Sequence, residues 1–257
     1  MRLGIMQGRL SPPVDDHYQE FPDNWEKEFL TLNNLSLIGV EWLITKKHYI
    51  DNPILEVLNS DYSEFVSSIC MDNLVDSRIA DEDFLKEMLD DFCFKINNKF
   101  DGFLTIPLLD ESDLTDSDKR FKFAQIMKQI GVKYPNLKFA FEAEMSIEGL
   151  QEIVELCDNF YVTYDTGNIT SFGLDHKEYI MHFAKKIVNV HLKDRTYDGQ
   201  TVIPTDGDTD FKTIFKTLKK VNYSGPFILQ SARQESGKEK ETIFTYKQLY
   251  EKLFNSV

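Results

Sequence analysis

Basic residues are scarce in this chain of 257: 29 Lys and Arg stand against 43 Asp and Glu, a formal net charge of −14. A protein that grips a phosphate backbone needs a basic footprint. No Lys/Arg-rich stretch provides one, so nucleic acid is not an expected partner. Cysteine is scarce as well. Cys70, Cys93 and Cys157 are odd in number, far apart and in no CxxC pair, which predicts reduced thiols and a cytoplasmic setting. No apolar run approaches the roughly 20 residues of a membrane span, and the opening residues lack a signal peptide's apolar region. Neither a Gly/Ser/Pro-rich linker nor a repeat nor a low-complexity tract divides the chain, so one domain over residues 1–257 is expected.

What is present is a regular alternation. Hydrophobic residues make up 42% and charged residues 28%, a globular balance. Short apolar runs, read as strands, fall near 2–7, 37–44, 65–71, 101–108, 137–143, 160–165, 187–192 and 226–230. Between them lie helical patterns. Phe84, Leu85, Met88, Leu89, Phe92 and Ile96 recur at three- and four-residue spacing, as do Phe211, Ile214, Phe215, Leu218 and Val221, and Ile243, Tyr246, Leu249, Tyr250 and Leu253. Residues 24–36, 118–133, 146–157 and 175–185 fill further gaps, and 52–62 is a short helix candidate. Eight strand–helix units predict a (β/α)8 barrel.

Strand faces point to a site. Side chains alternate across a strand, and a barrel's outward face packs on helices. In 187–193, Val188, Val190 and Leu192 form the apolar face, leaving Asn189, His191 and Lys193 inward. The same reading turns Gln7, Arg9, Glu41, Asp72, Glu142, Asp165 and Gln230 inward, each late in its strand, where barrel enzymes build their sites. Alone, an Asp or Glu at a strand end is ordinarily a surface or capping group. Here Glu142, Asp165, His191 and Gln230 come in order from four successive strands. Two carboxylates, an imidazole and an amide oxygen suit Mn, Mg, Co or Zn as divalent ions rather than a thiol-loving metal. Such an ion polarises a carbonyl, and a carboxylate such as Glu142 moves a proton.

The motifs also carry a resemblance. Tyr164-Asp165-Thr166-Gly167-Asn168 and His191-Leu192-Lys193-Asp194-Arg195 resemble two signatures of the xylose-isomerase-like TIM barrels, closest to the sugar phosphate isomerase/epimerase family. Gly4-Ile5-Met6-Gln7-Gly8-Arg9-Leu10-Ser11-Pro12, Phe21-Pro22, Trp25, Glu28-Phe29, Glu41-Trp42, Phe141-Glu142-Ala143-Glu144-Met145 and Ile228-Leu229-Gln230-Ser231-Ala232-Arg233 extend it over essentially the whole chain. The resemblance implies a metal-dependent isomerase or epimerase acting through an enediolate. Glu142 is then both metal ligand and acid/base, with Asp165, His191 and Gln230 completing the metal set. It also implies a small carbohydrate partner and leaves homo-oligomerisation open.

This chain departs from the family's pattern at three places. Gln230 stands where well-understood epimerases carry a second catalytic glutamate, and a neutral amide cannot act as a base near pH 7; either Glu142 suffices, as in an aldose–ketose isomerase, or Asp72, Asp194 or Lys193 supplies a second group. Asn168 replaces the His of the YDxxH pattern. Thr205 replaces the first Gly of a Leu-Gly-x-Gly loop. Arg9, Lys193, Arg195 and Arg233 suggest an anionic sugar, a phosphate or an acid, unless they merely form ion pairs, as Arg195 could with Asp194. Substrate contacts are thus expected from Gln7, Arg9, Glu41, Asp72, Asn168, Lys193, Asp194, Arg195 and Arg233. Residues 11–24, with His17, read equally as a lid or a surface loop. Three other classes remain as alternatives: a dehydratase on the same scaffold, a non-catalytic carbohydrate-binding barrel, and a metal-dependent endonuclease, which the charge and the single well-placed His disfavour.

Overall fold

A computed structural model describes residues 1–13 and 21–257; His17 and half of the 11–24 stretch, read as lid or surface loop, lie outside the described residues. Eight strands form the sheet: β1 (Leu3–Met6), β2 (Val40–Leu43), β3 (Val66–Cys70), β4 (Phe103–Leu108), β5 (Lys138–Ala143), β6 (Phe160–Asp165), β7 (Ile187–Leu192) and β8 (Phe227–Leu229). Their order is that of a closed barrel, β1-β8-β7-β6-β5-β4-β3-β2. Every strand read from the sequence is present, with ends shifted by a few residues. The chain divides into two compact units, one of Met1–Glu41 with Tyr164–Val257, the other Trp42–Thr163.

In the first unit β1 runs parallel to β8, pairing Leu3 with Phe227, and to β2, pairing Met6 with Glu41. Strand β8 pairs in turn with β7, setting Ile228 against His191. Gly4 permits this closeness: a Cβ there would stand 2.9 Å from Ile228 Cδ1 and 3.1 Å from the Gly39 carbonyl. The helices Phe211–Lys220 and Glu239–Asn255 pack aromatic edges over β8. Phe215 meets Phe227 at 6.2 Å and Phe254 at 5.5 Å between ring centres. The first helix, Trp25–Leu35, buries Phe29, Leu32 and Leu35, and one acid with them, Glu28. That carboxylate accepts from the Gly8 and Leu10 amides at 3.0 and 3.1 Å and from the Ser11 hydroxyl at 2.9 Å. It thereby pins the turn after β1, where Gly8 has φ 86°. Burial raises its pKa above the ordinary carboxylate value.

In the second unit β4 pairs with β5 along six residues and β5 with β6 along three. Phe139 and Phe141 both meet Phe160 edge-on, at 5.8 and 5.2 Å. Capping follows the sequence: Asp116 accepts from the Lys119 amide at the start of Ser117–Lys133, and Ser146 from Gly149 ahead of Ile147–Val154. Asn159 ties its amide to the carbonyls of Gly131, Tyr134 and Leu137, closing the turn into β6.

Three local readings needed correction. The continuous helix expected over Phe84–Ile96 is interrupted by a π-helical stretch, Lys86–Asp90, which shifts the register between its two α-helical ends. The candidate at 52–62 resolves into Ile54–Val57 and a 3-10 turn, Asp61–Phe65. A helix not read from the pattern, Thr166–Phe172, starts directly after β6. Its Thr, Gly and Asn are poor helix formers with no apolar period. It forms because Asp165 caps it, Oδ1 accepting from the Asn168 amide at 2.8 Å.

Candidate metal and proton-transfer site

The end of β7 supplies the centre of the site in the first unit. His191 is fully buried, as are Asn189 and Glu41. Asn189 Nδ2 donates to Glu41 Oε2 at 2.7 Å, and His191 Nε2 lies 3.2 Å from each Glu41 oxygen. Glu41, Asn189 and His191 therefore share one face, as the alternation required. The other imidazole nitrogen, Nδ1, is 3.7 Å from Asp165 Oδ2. Asp165 Oδ2 also receives the Lys193 ammonium at 2.9 Å. Burial alone would raise the Asp165 pKa. Lys193, foremost, with Arg195 beside it, outweighs burial and holds the group well below the usual carboxylate range.

Gly167 makes the contact between β7 and the next helix possible. A Cβ at this position would come within 3.0 Å of both Lys193 Cγ and Arg195 Cγ. Thr166 completes the join: its hydroxyl donates to the Lys193 carbonyl at 2.6 Å. Asn168 is buried in the same turn.

In the second unit Glu142 is 3% exposed near the end of β5. Asp72, just past β3, has its pKa raised to about 6, by burial first and then by the charge of Glu142, with Lys46 opposing. Glu142 and Asp72 thus feel one another's charge.

Several residues expected at the substrate already have protein partners. Asp194 is fully buried and accepts three backbone amides, Thr205 at 2.7 Å, Gly207 at 3.0 Å and Thr209 at 3.2 Å. It organises the seventh loop, where Thr205 itself has φ 81°. Arg195 donates to Ser171 Oγ at 3.2 Å. Arg195 also opens a short hairpin, Asp194–Arg195 with Thr201–Val202. Arg233 donates to the Ser11 carbonyl at 3.1 Å. Gln7 and Arg9 are buried, and the Gln7 amide donates to the Glu41 carbonyl. Gln230 is buried, its backbone amide on the Leu192 carbonyl. Asn189 lay on the inward face in the sequence but carried no assigned role; its signal was the alternation itself. Trp42 is buried packing, its indole donating to Asn52 at 2.8 Å.

Asp165 and His191 of the first unit offer donor atoms that metal ions take, and Glu142 of the second unit is a donor of the same kind. Two carboxylates and an imidazole form a hard-to-borderline set, and the tight approach of Lys193 to Asp165 marks that oxygen as one that attracts cations.

The sequence pattern of the xylose isomerase-like TIM barrel family matches residues 115–248, more than half of the chain, and the chain belongs to that family. The inosose dehydratase of Clostridium tetani is 24% identical over 210 residues, 70% of each chain. That of Geobacillus kaustophilus is 31% identical over 147 residues, 46% of this chain and 47% of its own. Among solved structures, the IolI protein with a bound zinc atom superposes with a TM-score of 0.75 at 15% identity, covering 100% of this chain and 99% of that one. An L-ribulose 3-epimerase gives 0.66 at 16% identity over 95% and 86%. A probable 3-DHS dehydratase from Bacillus anthracis gives 0.68 at 12% identity over 97% and 98%. The relatives are enzymes by name, dehydratases and an epimerase, and the structural likeness establishes the barrel. No helix among the described residues is long and apolar enough to cross a membrane.

Proposed function

We propose that the chain, acting as a single barrel domain, is a metal-dependent enzyme that forms an enolate from a small polyhydroxylated ketone and eliminates water from it. The observation that carries this reading is Gln230. The eighth strand presents a neutral amide where a second proton-transferring carboxylate would be required, which leaves Glu142 as one base. Epimerisation through an enediolate needs proton removal on one face and return on the other, which one carboxylate does not supply. Elimination can be completed by one group. Glu142 takes the proton alpha to the carbonyl, the C–H electrons form the C=C bond, and the β C–O bond breaks. The protonated Glu142 then delivers that proton to the departing hydroxyl, which leaves as water and restores the carboxylate.

Glu142, Asp165 and His191 would hold a divalent cation, with the Gln230 amide oxygen as a fourth donor. When bound, the cation supplies Lewis-acid polarisation of the substrate carbonyl. The chain's own residues do the rest. Lys193 neutralises Asp165, and Asn168, Gln7 and Arg9 are buried polar groups suited to sugar hydroxyls. Arg195 and Arg233 donate to the neutral oxygens of Ser171 and Ser11, and Lys193 pairs with Asp165. Asp194 serves the loop rather than the ligand. The dehydratase names among the relatives support elimination.

Aldose–ketose isomerisation is the second reading, since it too needs only one base moving a proton on one face. Incubation of Mn²⁺- or Co²⁺-loaded protein with inososes, ketopentoses, ketohexoses and their phosphates in D₂O separates the two. An unsaturated product that has lost one water, absent with Glu142→Gln, is expected. Deuterated isomers without water loss would select isomerisation, and an inert panel would refute both. Such chemistry fits a cytoplasmic enzyme of carbohydrate metabolism.

A further inference from the structure

The two nitrogens of His191 face different surroundings. Nε2 stands 3.2 Å from both oxygens of Glu41, whereas Nδ1 is 3.7 Å from Asp165 Oδ2. A carboxylate has only acceptor atoms. A lone pair on Nε2 would point at two anionic oxygens, so the ring proton belongs there. Asn189 holds the acceptor in place: its amide nitrogen donates to Glu41 Oε2 at 2.7 Å, and the same nitrogen lies 3.1 Å from Nε2. With Nε2 protonated, a neutral imidazole carries its lone pair on Nδ1, on the side of Asp165. Imidazoles that bind metals are ordinarily set up this way, the distal N–H given to a carboxylate or carbonyl that fixes tautomer and ring orientation.

We propose that Glu41, steered by Asn189, is the positioning residue that locks His191 as the Nε2–H tautomer and presents Nδ1 to the divalent cation. Glu41 then touches no substrate, in contrast to the role its place on β2 suggested. The inference rests on the reading of Asp165 and His191 as metal ligands. Chain order conceals the relationship: Glu41 precedes His191 by 150 residues, and only the meeting of β1, β2, β8 and β7 in one sheet makes them neighbours. All three members of the relay are fully buried. Water therefore cannot replace the carboxylate as the partner of Nε2 without opening the barrel interior.

The test uses ¹⁵N-histidine-labelled, EDTA-treated protein at pH 8, with the His191 signals assigned from His191→Asn. Wild type should show the Nε2–H tautomer and bind Zn²⁺ stoichiometrically by calorimetry, with binding lost in His191→Asn. Glu41→Gln, whose amide can turn either atom toward the ring, should populate the Nδ1–H tautomer. It should also bind Zn²⁺ about 10- to 100-fold more weakly. An Nδ1–H form or an imidazolium in wild type would overturn the proposal without recourse to any variant, so a misfolded Glu41→Gln does not rescue it. Equal Zn²⁺ affinity in wild type and a folded Glu41→Gln would overturn it too, leaving the metal reading intact. Failure of wild type to bind Zn²⁺ or Mn²⁺ at all would overturn the metal reading and this inference with it.

Discussion

The Lys193 ammonium lies 2.9 Å from Asp165 Oδ2, and neither side chain is more than 3% exposed. An ion pair this deep is costly to break from one side only, about 3–5 kcal/mol, because the remaining charge is stranded. Lys193→Met should lower the urea-unfolding stability of EDTA-treated protein by that order. Added Mn²⁺ should return part of the loss by taking over the role of the missing cation. Unchanged stability in EDTA, or no effect of Mn²⁺ on the variant, would contradict this account.

Thr205 adopts φ 81°, a left-handed backbone that is strained for a β-branched residue. It is held there by its amide's bond to Asp194. Thr205→Gly should relieve the strain and raise stability by about 1 kcal/mol, seen as a higher melting temperature. Gly207→Ala should do the reverse, since a methyl group there runs into the Asp194 carboxylate. A lower melting temperature for Thr205→Gly would show that the loop prefers the threonine.

His176 is enclosed by the Tyr164 hydroxyl at 2.7 Å and the Thr170 hydroxyl at 3.0 Å. Burial lowers its pKa from 6.5 to about 4, against the upward pull of Asp210 and Asp175. The unfolded chain therefore takes up a proton that the folded one refuses between those values. The stability this histidine contributes is complete above pH 6.5 and is lost as pH falls toward 4, a difference of about 3 kcal/mol. Denaturant titrations across that range should show a shallower pH slope for His176→Gln than for wild type. Parallel slopes would remove His176 as the cause.

Much of this was legible in the chain. The eight strands followed from apolar runs, and the inward turn of Asn189, His191 and Glu41 from simple alternation along β7 and β2. What escaped was set by partners distant in sequence or by local exceptions to propensity. The Thr166–Phe172 helix exists through one capping carboxylate rather than through its residues' preferences. The π-helical turn at Lys86–Asp90 hides inside a regular 3.6-residue pattern. Asp194 holds three amides of a later loop, partners that nothing in the sequence shows.

The thiols offer a simple check on packing. Cys70 and Cys93 are buried, and burial pushes the Cys93 thiol pKa well up, with Asp90 adding to it; Cys157 is partly exposed. Under native conditions a thiol-disulfide reagent should modify Cys157 at once and the other two only on unfolding. Rapid reaction of all three would mean an interior that opens easily.

The bare hydrogen at Gly167 has one more implication. Because a Cβ at this position would stand 3.0 Å from the stems of both Lys193 and Arg195, a residue placed there presses on one or both of them. A saturation library at 167 would thus act as a displacement ruler for the ammonium group. Graded increases in side-chain size from Ala upward should translate into graded losses of the Lys193–Asp165 contact, without altering a single charged residue.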